Sequence, residues 1–227
     1  MLDARLLCAA NLVRDGARLA DIGTDHAYLP VYLMQSGRIS RAIAADIGEG
    51  PAASARQHIK EADLTEQIEV RVCDGLTGIA EGEATDIVIA GMGGETMIHI
   101  LSDAPWVCTD GVRLVLQPMT KTVELRAWLF DHGFAITEEH LIPDGRHRYV
   151  VMAATYTGAS PDTSALAPYI GALDLDEGWD YFVRQEAALQ KRVSGLERAG
   201  HTDEAAAVRP VLEALRQYMN SKKENGV

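Results

Sequence analysis

The sequence predicts an α/β protein: a doubly wound, largely parallel sheet extended by an antiparallel pair of strands, followed by a helical hairpin. Three observations carry this expectation. Short apolar runs end near Asp21, Asp46, Val72, Ala90 and Gln117, with amphipathic stretches between them. The runs at 42–45 and 86–90 lack polar alternation, as strands covered on both faces do. Beyond residue 164 the apolar period becomes that of helices.

Taken in order, strand and helix alternate five times, and right-handed crossovers wind such a chain into a parallel sheet with helices on both faces. Leu125, Trp128 and Leu129 then mark a helix. Strands are expected near Phe134–Leu141 and Arg148–Tyr156, joined by the turn Pro143-Asp144-Gly145. So short a connection means antiparallel pairing. Five parallel strands plus a terminal hairpin make the Rossmann-like, seven-stranded arrangement common among class I methyltransferases. The segment Gly158 to Ser164 has the composition of a linker, which divides the chain into domains at 1–157 and 158–227. In the second, Phe182, Leu189, Val193 and Leu196 form one helix face, and Val208, Val211, Leu212, Leu215 and Met219 another. Gly200 can stop the first helix and Thr202 or Asp203 cap the next, giving a coiled-coil-like hairpin. Residues 221–227 are expected to fray.

Bulk composition narrows the classes. With 47% hydrophobic and 24% charged residues in 227, the chain can bury a sizeable core. Three cysteines without a C-x-x-C pair argue against a disulfide framework or cysteine zinc site and for a reducing cytoplasm. No apolar stretch approaches membrane-span length, and no signal peptide is expected. The net charge of −12 argues against a general polyanion binder. The oligomeric state, monomer included, is left open.

The candidate site residues cluster where strands should end. Asp21 and Gly23 close the first run, and one glycine replaces the three of a dinucleotide loop, so an adenosyl ligand without a pyrophosphate fits best. Asp46, 25 residues on, is placed to accept ribose hydroxyls or to cap the next helix. In Cys73-Asp74-Gly75-Leu76, Asp74 could accept from an adenine amino group with Leu76 as an apolar wall, although Asp-Gly is also an ordinary turn. Ala90-Gly91-Met92-Gly93-Gly94 allows close backbone approach and precedes a helix expected at 95–101. Glu95 in its first turn would repel a phosphate. Gln117 could read a base edge beside Pro118, and Arg146 and Arg148 could contact phosphate. His26 has no partner at metal-ligand spacing, and no metal is expected.

In combination these blocks resemble the bacterial tRNA adenine N1-methyltransferases that modify position 22 in the D-arm region. The resemblance rests on Asp21 to Pro30, Asp46, Asp74 to Leu76, Ala90 to Gly94 and Leu116 to Pro118 in that order. It runs from the N-terminus to about Tyr156 and more loosely into the tail. Cys73 departs from the glycine expected before Asp74. The resemblance implies S-adenosyl-L-methionine as donor and tRNA as substrate. It implies that Asp21, Gly23, Asp46, Asp74 and Gly91 hold the cofactor and that His26 and Met92 face the acceptor base; Thr24, His26, Ile47, Gly75, Leu76, Ala90, Met92 and Gly93 in the same loops are expected to complete the cofactor shell. Asp25 and Tyr28 become the catalytic pair, and Gln117, Pro118, Arg146 and Arg148 the substrate contacts. Two other readings stay open at this stage: an NAD-dependent oxidoreductase on the same sheet, and a nucleotide-binding module whose helical tail recruits a partner. The tail arginines Arg184, Arg192 and Arg198 are the cations expected to dock RNA despite the overall charge.

Overall fold

The computed structural model describes residues 2–145, 147–159 and 164–224. They form two compact units, Met1–Pro161 and Asp162–Val227. In the first, α1 (Ala4–Leu12), β1 (Ala17–Ile22), α2 (Tyr28–Gln35), β2 (Ile39–Asp46), α3 (Glu49–Glu61) and β3 (Ile68–Val72) are followed by β4 (Asp86–Gly93) and α4 (Gly94–Ser102). A short 3-10 turn precedes β5 (Arg113–Thr120), α5 (Thr122–Asp131), β6 (Phe134–Asp144) and β7 (His147–Tyr156). The strands make one sheet in the order β3-β2-β1-β4-β5-β7-β6. β1 to β5 are parallel and β7 runs antiparallel to both its neighbours. The chain reverses its winding between β1 and β4, so their carboxyl ends open the crevice in which ligands bind in such sheets.

Period-two alternation assigns the strand residues to faces. Leu19, Ala42, Ala44, Val88, Val115 and Val151 pack with Ala9, Leu12, Leu33, Ala55 and Ile59 from α1, α2 and α3. Ile87, Ile89, Leu114 and Leu116 alternate to the opposite face, on which α4 packs, and all four are fully buried. Burial on both sides explains the absence of polar alternation in β4. Two ion pairs pin the segment after α1 and helix α5 to the sheet. Fully buried Asp86 accepts from the Arg14 backbone amide (2.9 Å) and guanidinium (2.6 Å), and Arg126 of α5 meets Glu139 of β6 at 2.9 Å with both side chains buried.

The hairpin strands are longer than expected. Pro143 pairs with Arg148 and Asp144 with His147 inside the ladder, so neither belongs to the turn. Proline is tolerated there because β6 is the sheet's edge. β4 likewise runs to Gly93, and α4 begins at Gly94, one residue before the expected start.

The second unit contains α6 (Ala167–Ile170), α7 (Trp179–Arg198) and α8 (Thr202–Glu224). Phe182, Leu189 and Val193 are buried with Ala205, Leu212, Leu215 and Met219, and Phe182 meets Tyr218 edge-on at 5.8 Å. Gly200 stands at φ +80°, a left-handed conformation that suits glycine and ends α7. Arg216 bridges back to Glu186 at 2.7 Å, and Arg209 pairs with Glu197. α8 runs through Glu224, and residues 225–227 of the stretch expected to fray lie outside the described residues. Four residues of the expected linker, 160–163, lie outside the described residues.

Candidate active site

At the end of β1 the chain turns sharply. Gly23 stands at φ +75°, and the Gly23 and Thr24 amides both donate to the Ala45 carbonyl (2.8 and 3.0 Å). Asp21 is 6% exposed and accepts a 2.6 Å hydrogen bond from the Thr24 hydroxyl. Burial pushes its carboxyl up to about 6, desolvation outweighing that hydrogen bond and the Asp46 charge adding to it. The next turn holds two non-glycine residues in the left-handed region, Asp25 (φ +50°) and Ala27 (φ +55°). Each costs on the order of 1 kcal/mol and persists because the surroundings fix it. The turn leaves the Asp25 carboxylate in solvent, 3.6 Å from His26 Nε2. Tyr28 opens α2, 44% exposed, its ring 5.3 Å from His26.

Asp46 closes β2. Its Oδ1 accepts from the Gly48 amide at 2.8 Å, just ahead of α3, so one oxygen shapes the loop. Ile47 beside it is 69% exposed, unusual for an isoleucine at a strand end. Asp74 is exposed in the loop after β3. Leu76 is only 2% exposed, so it anchors that loop to the core instead of forming a ligand wall. The apolar groups that do face solvent here are Ile47 and Val72.

Near the end of β4, exposed Gly91 stands at φ +78°. A Cβ on Gly94 would lie 2.5 Å from the Lys121 carbonyl oxygen, which fixes glycine where α4 crosses the β5–α5 turn. Met92 reaches toward Gly23, its methyl 2.2 Å from where a Cβ would stand there. Gln117 is 1% exposed and its carboxamide is fully engaged. The oxygen accepts from the Gly91 amide (3.1 Å) and Arg5 Nη1 (3.3 Å), and the nitrogen donates to the Pro118 carbonyl (3.1 Å). It therefore holds the Gly91 loop, which corrects the expectation of a free base-reading amide. Pro118 is buried as well.

Arg5 was not legible as a site residue. Its guanidinium donates to Asp3 (2.7 Å) and to Gln117, and lies 5.0 Å above the Tyr149 ring. Only Asp3, spaced to cap α1 through the Leu6 amide, signals locally that this helix begins here. Arg5, Asp21, Gly23, Thr24, Asp25, Tyr28, Ala90, Gly91 and Gln117 line one cleft at the carboxyl edge. Asp46, Ile47 and Asp74 belong to the neighbouring strand ends on that edge. Arg148 sits half-buried at the hairpin's far end, and Arg146 lies outside the described residues. On α7, Arg184 and Arg192 are exposed, while Arg198 Nε donates to the Ser194 carbonyl.

Asp21 and Asp25 in the cleft, with Asp46 and Asp74 at the neighbouring strand ends, suit a cationic adenosyl ligand and repel a pyrophosphate. Together with the seven-stranded sheet they define a methyltransferase of the Rossmann-like class, and a family model described as a methyltransferase domain matches residues 2–152. The chain is 40% identical over 153 residues to the tRNA (adenine(22)-N(1))-methyltransferase of Bacillus subtilis, an alignment covering 67% of this chain and 64%, just under two thirds, of that relative. The solved structure of the B. subtilis m1A22 tRNA methyltransferase TrmK is 31% identical with a TM-score of 0.81, covering 99% of this chain and 98% of that one. A Streptococcus pneumoniae protein solved with S-adenosyl-L-methionine is 32% identical with a TM-score of 0.76, covering 96% and 100%. The chain belongs to the bacterial tRNA (adenine-22 N1)-methyltransferase family. Among the described residues no helix is long and apolar enough to cross a membrane.

Proposed function

We propose that this protein transfers a methyl group from S-adenosyl-L-methionine to N1 of adenine 22 in the D-arm region of tRNA, in the cytoplasm. The carrying observation is the carboxylate-lined cleft at the β1/β4 switch point, in a fold with no pyrophosphate loop. The cofactor, when bound, supplies an electrophilic methyl on a sulfonium. Asp46 keeps its second carboxylate oxygen for the ribose hydroxyls, exposed Ile47 gives the adenine an apolar surface, and Asp74 accepts from the adenine amino group. Asp21 and Thr24, with the Gly23 and Gly91 backbones, hold the methionine end.

Adenine N1 carries a free lone pair at neutral pH, so no general base is required. N1 attacks the methyl carbon as the carbon–sulfur bond breaks, and the sulfur leaves as a neutral thioether. The positive charge passes to the methylated base. Exposed Asp25 stabilises that charge as it develops, and Tyr28 offers its ring to the extruded base. Positioning supplies most of the acceleration, worth on the order of 7 kcal/mol in well-oriented reactions. Arg148, Arg184, Arg192 and Arg198 provide phosphate contacts. Labelled methyl from S-adenosyl-L-methionine should appear in unmodified tRNA. Calorimetric binding of NAD with no methyl transfer would contradict the reading.

A further inference from the structure

We propose that the cleft between the His26–Tyr28 turn and α3 holds an unpaired nucleobase next to the target adenine in the RNA strand; this deepens the methyltransferase reading and rests on it. The cleft has a volume of about 510 Å³, within the roughly 300–1,000 Å³ of ligand sites. Tyr28 lines both this cleft and the acceptor cleft, so a base seated here lies one ring away from the adenine being methylated. The Tyr28 ring meets His58 edge-on at 4.8 Å and His26 at 5.3 Å, giving three rings around one exposed edge. Single-stranded RNA is held by stacking on such side chains, histidine included.

The remaining chemistry favours a base over a phosphate. Ser54 and Gln57 line the cleft without charge, and the carboxylate of Glu61, which accepts from Gln57 Nε2 at 2.6 Å, repels phosphate. His58 Nδ1 lies 2.9 Å from the His26 carbonyl oxygen. A carbonyl only accepts, so Nδ1 carries the proton, and in the neutral ring Nε2 is left as an acceptor. It can take a hydrogen bond from an exocyclic amino group or a ribose hydroxyl. The same bond couples α3 to the turn that carries Asp25.

The test uses the full chain with synthetic tRNA carrying one abasic residue on the 5′ or 3′ side of the target adenine. Stacking of one base is worth about 1–3 kcal/mol by truncation, so one of the two abasic RNAs should raise KM for RNA about tenfold with the wild-type enzyme. His58→Ala should raise KM for intact RNA by a similar factor and leave the calorimetric Kd for S-adenosyl-L-methionine unchanged. On the sensitive abasic RNA the two enzymes should then converge. If neither abasic RNA affects the wild-type enzyme, or if the two losses multiply, this base site is ruled out while the methyltransferase reading stands. The wild-type measurement requires no variant to fold. If intact tRNA receives no methyl at all, it is the underlying reading that fails.

Discussion

Asp21 shows a binding group held at the expense of the unliganded fold. Its carboxyl titrates near 6, above its ordinary value of 3.8, because burial disfavours the charged form. In that window the folded state binds the extra proton, so stability is highest below 3.8 and is lost as pH rises through about 6. Asp21→Asn should therefore raise stability by about 1–3 kcal/mol at pH 8 and little at pH 4, while weakening cofactor binding. Urea titrations at the two pH values check this, and an unchanged pH dependence would count against it. Asp25 is the complementary case, exposed and placed to meet developing charge. Asparagine tolerates the left-handed backbone at φ +50°, so Asp25→Asn removes charge with little strain. We expect kcat to fall about 100-fold, the lower end for one electrostatic group because Asp25 is exposed, with cofactor Kd unchanged. Full-rate methylation by the variant would remove Asp25 from the mechanism.

At the scale of elements, the site depends on how closely the loop after β4 meets the turn after β5. Alanine is favoured over glycine in helices by about 1 kcal/mol, yet Gly94→Ala at the start of α4 is expected to destabilise by more than about 1 kcal/mol. The added Cβ would meet backbone, the Lys121 carbonyl at 2.5 Å, which cannot move aside as a side chain can. Chemical denaturation gives the sign directly. The strand ends carrying Asp21, Asp46 and Gly91 were legible because apolar runs stop at acidic or glycine residues, a local pattern. Arg5 was not, nor was its hydrogen bond to Gln117. These two partners lie 112 residues apart in the chain, and only the sheet brings them together. Leu76 misled for a related reason, since a leucine after Asp-Gly can face either core or solvent and local sequence does not decide which. Pro143 read as a turn because edge position is a property of the finished sheet.

At the scale of the molecule, the net charge of −12 sets how RNA can be held. A few local cations must act against an unfavourable background field, so the log–log salt slope of binding should be set by those few contacts and be shallow. Reversing the charge at Arg184, Arg192 and Arg198 together should weaken tRNA binding. It should also lower the magnitude of the log–log salt slope by about 2, at roughly 0.7–0.9 for each phosphate no longer neutralised. An unchanged slope would exclude these arginines from phosphate docking. The central claim is that one adenine nitrogen at one D-arm position receives the methyl group. Nucleoside mass spectrometry with site mapping, on unmodified tRNA treated with this protein and S-adenosyl-L-methionine, tests it most directly. The expected product is 1-methyladenosine at position 22 alone; a methyl group on any other atom or at any other position would contradict it.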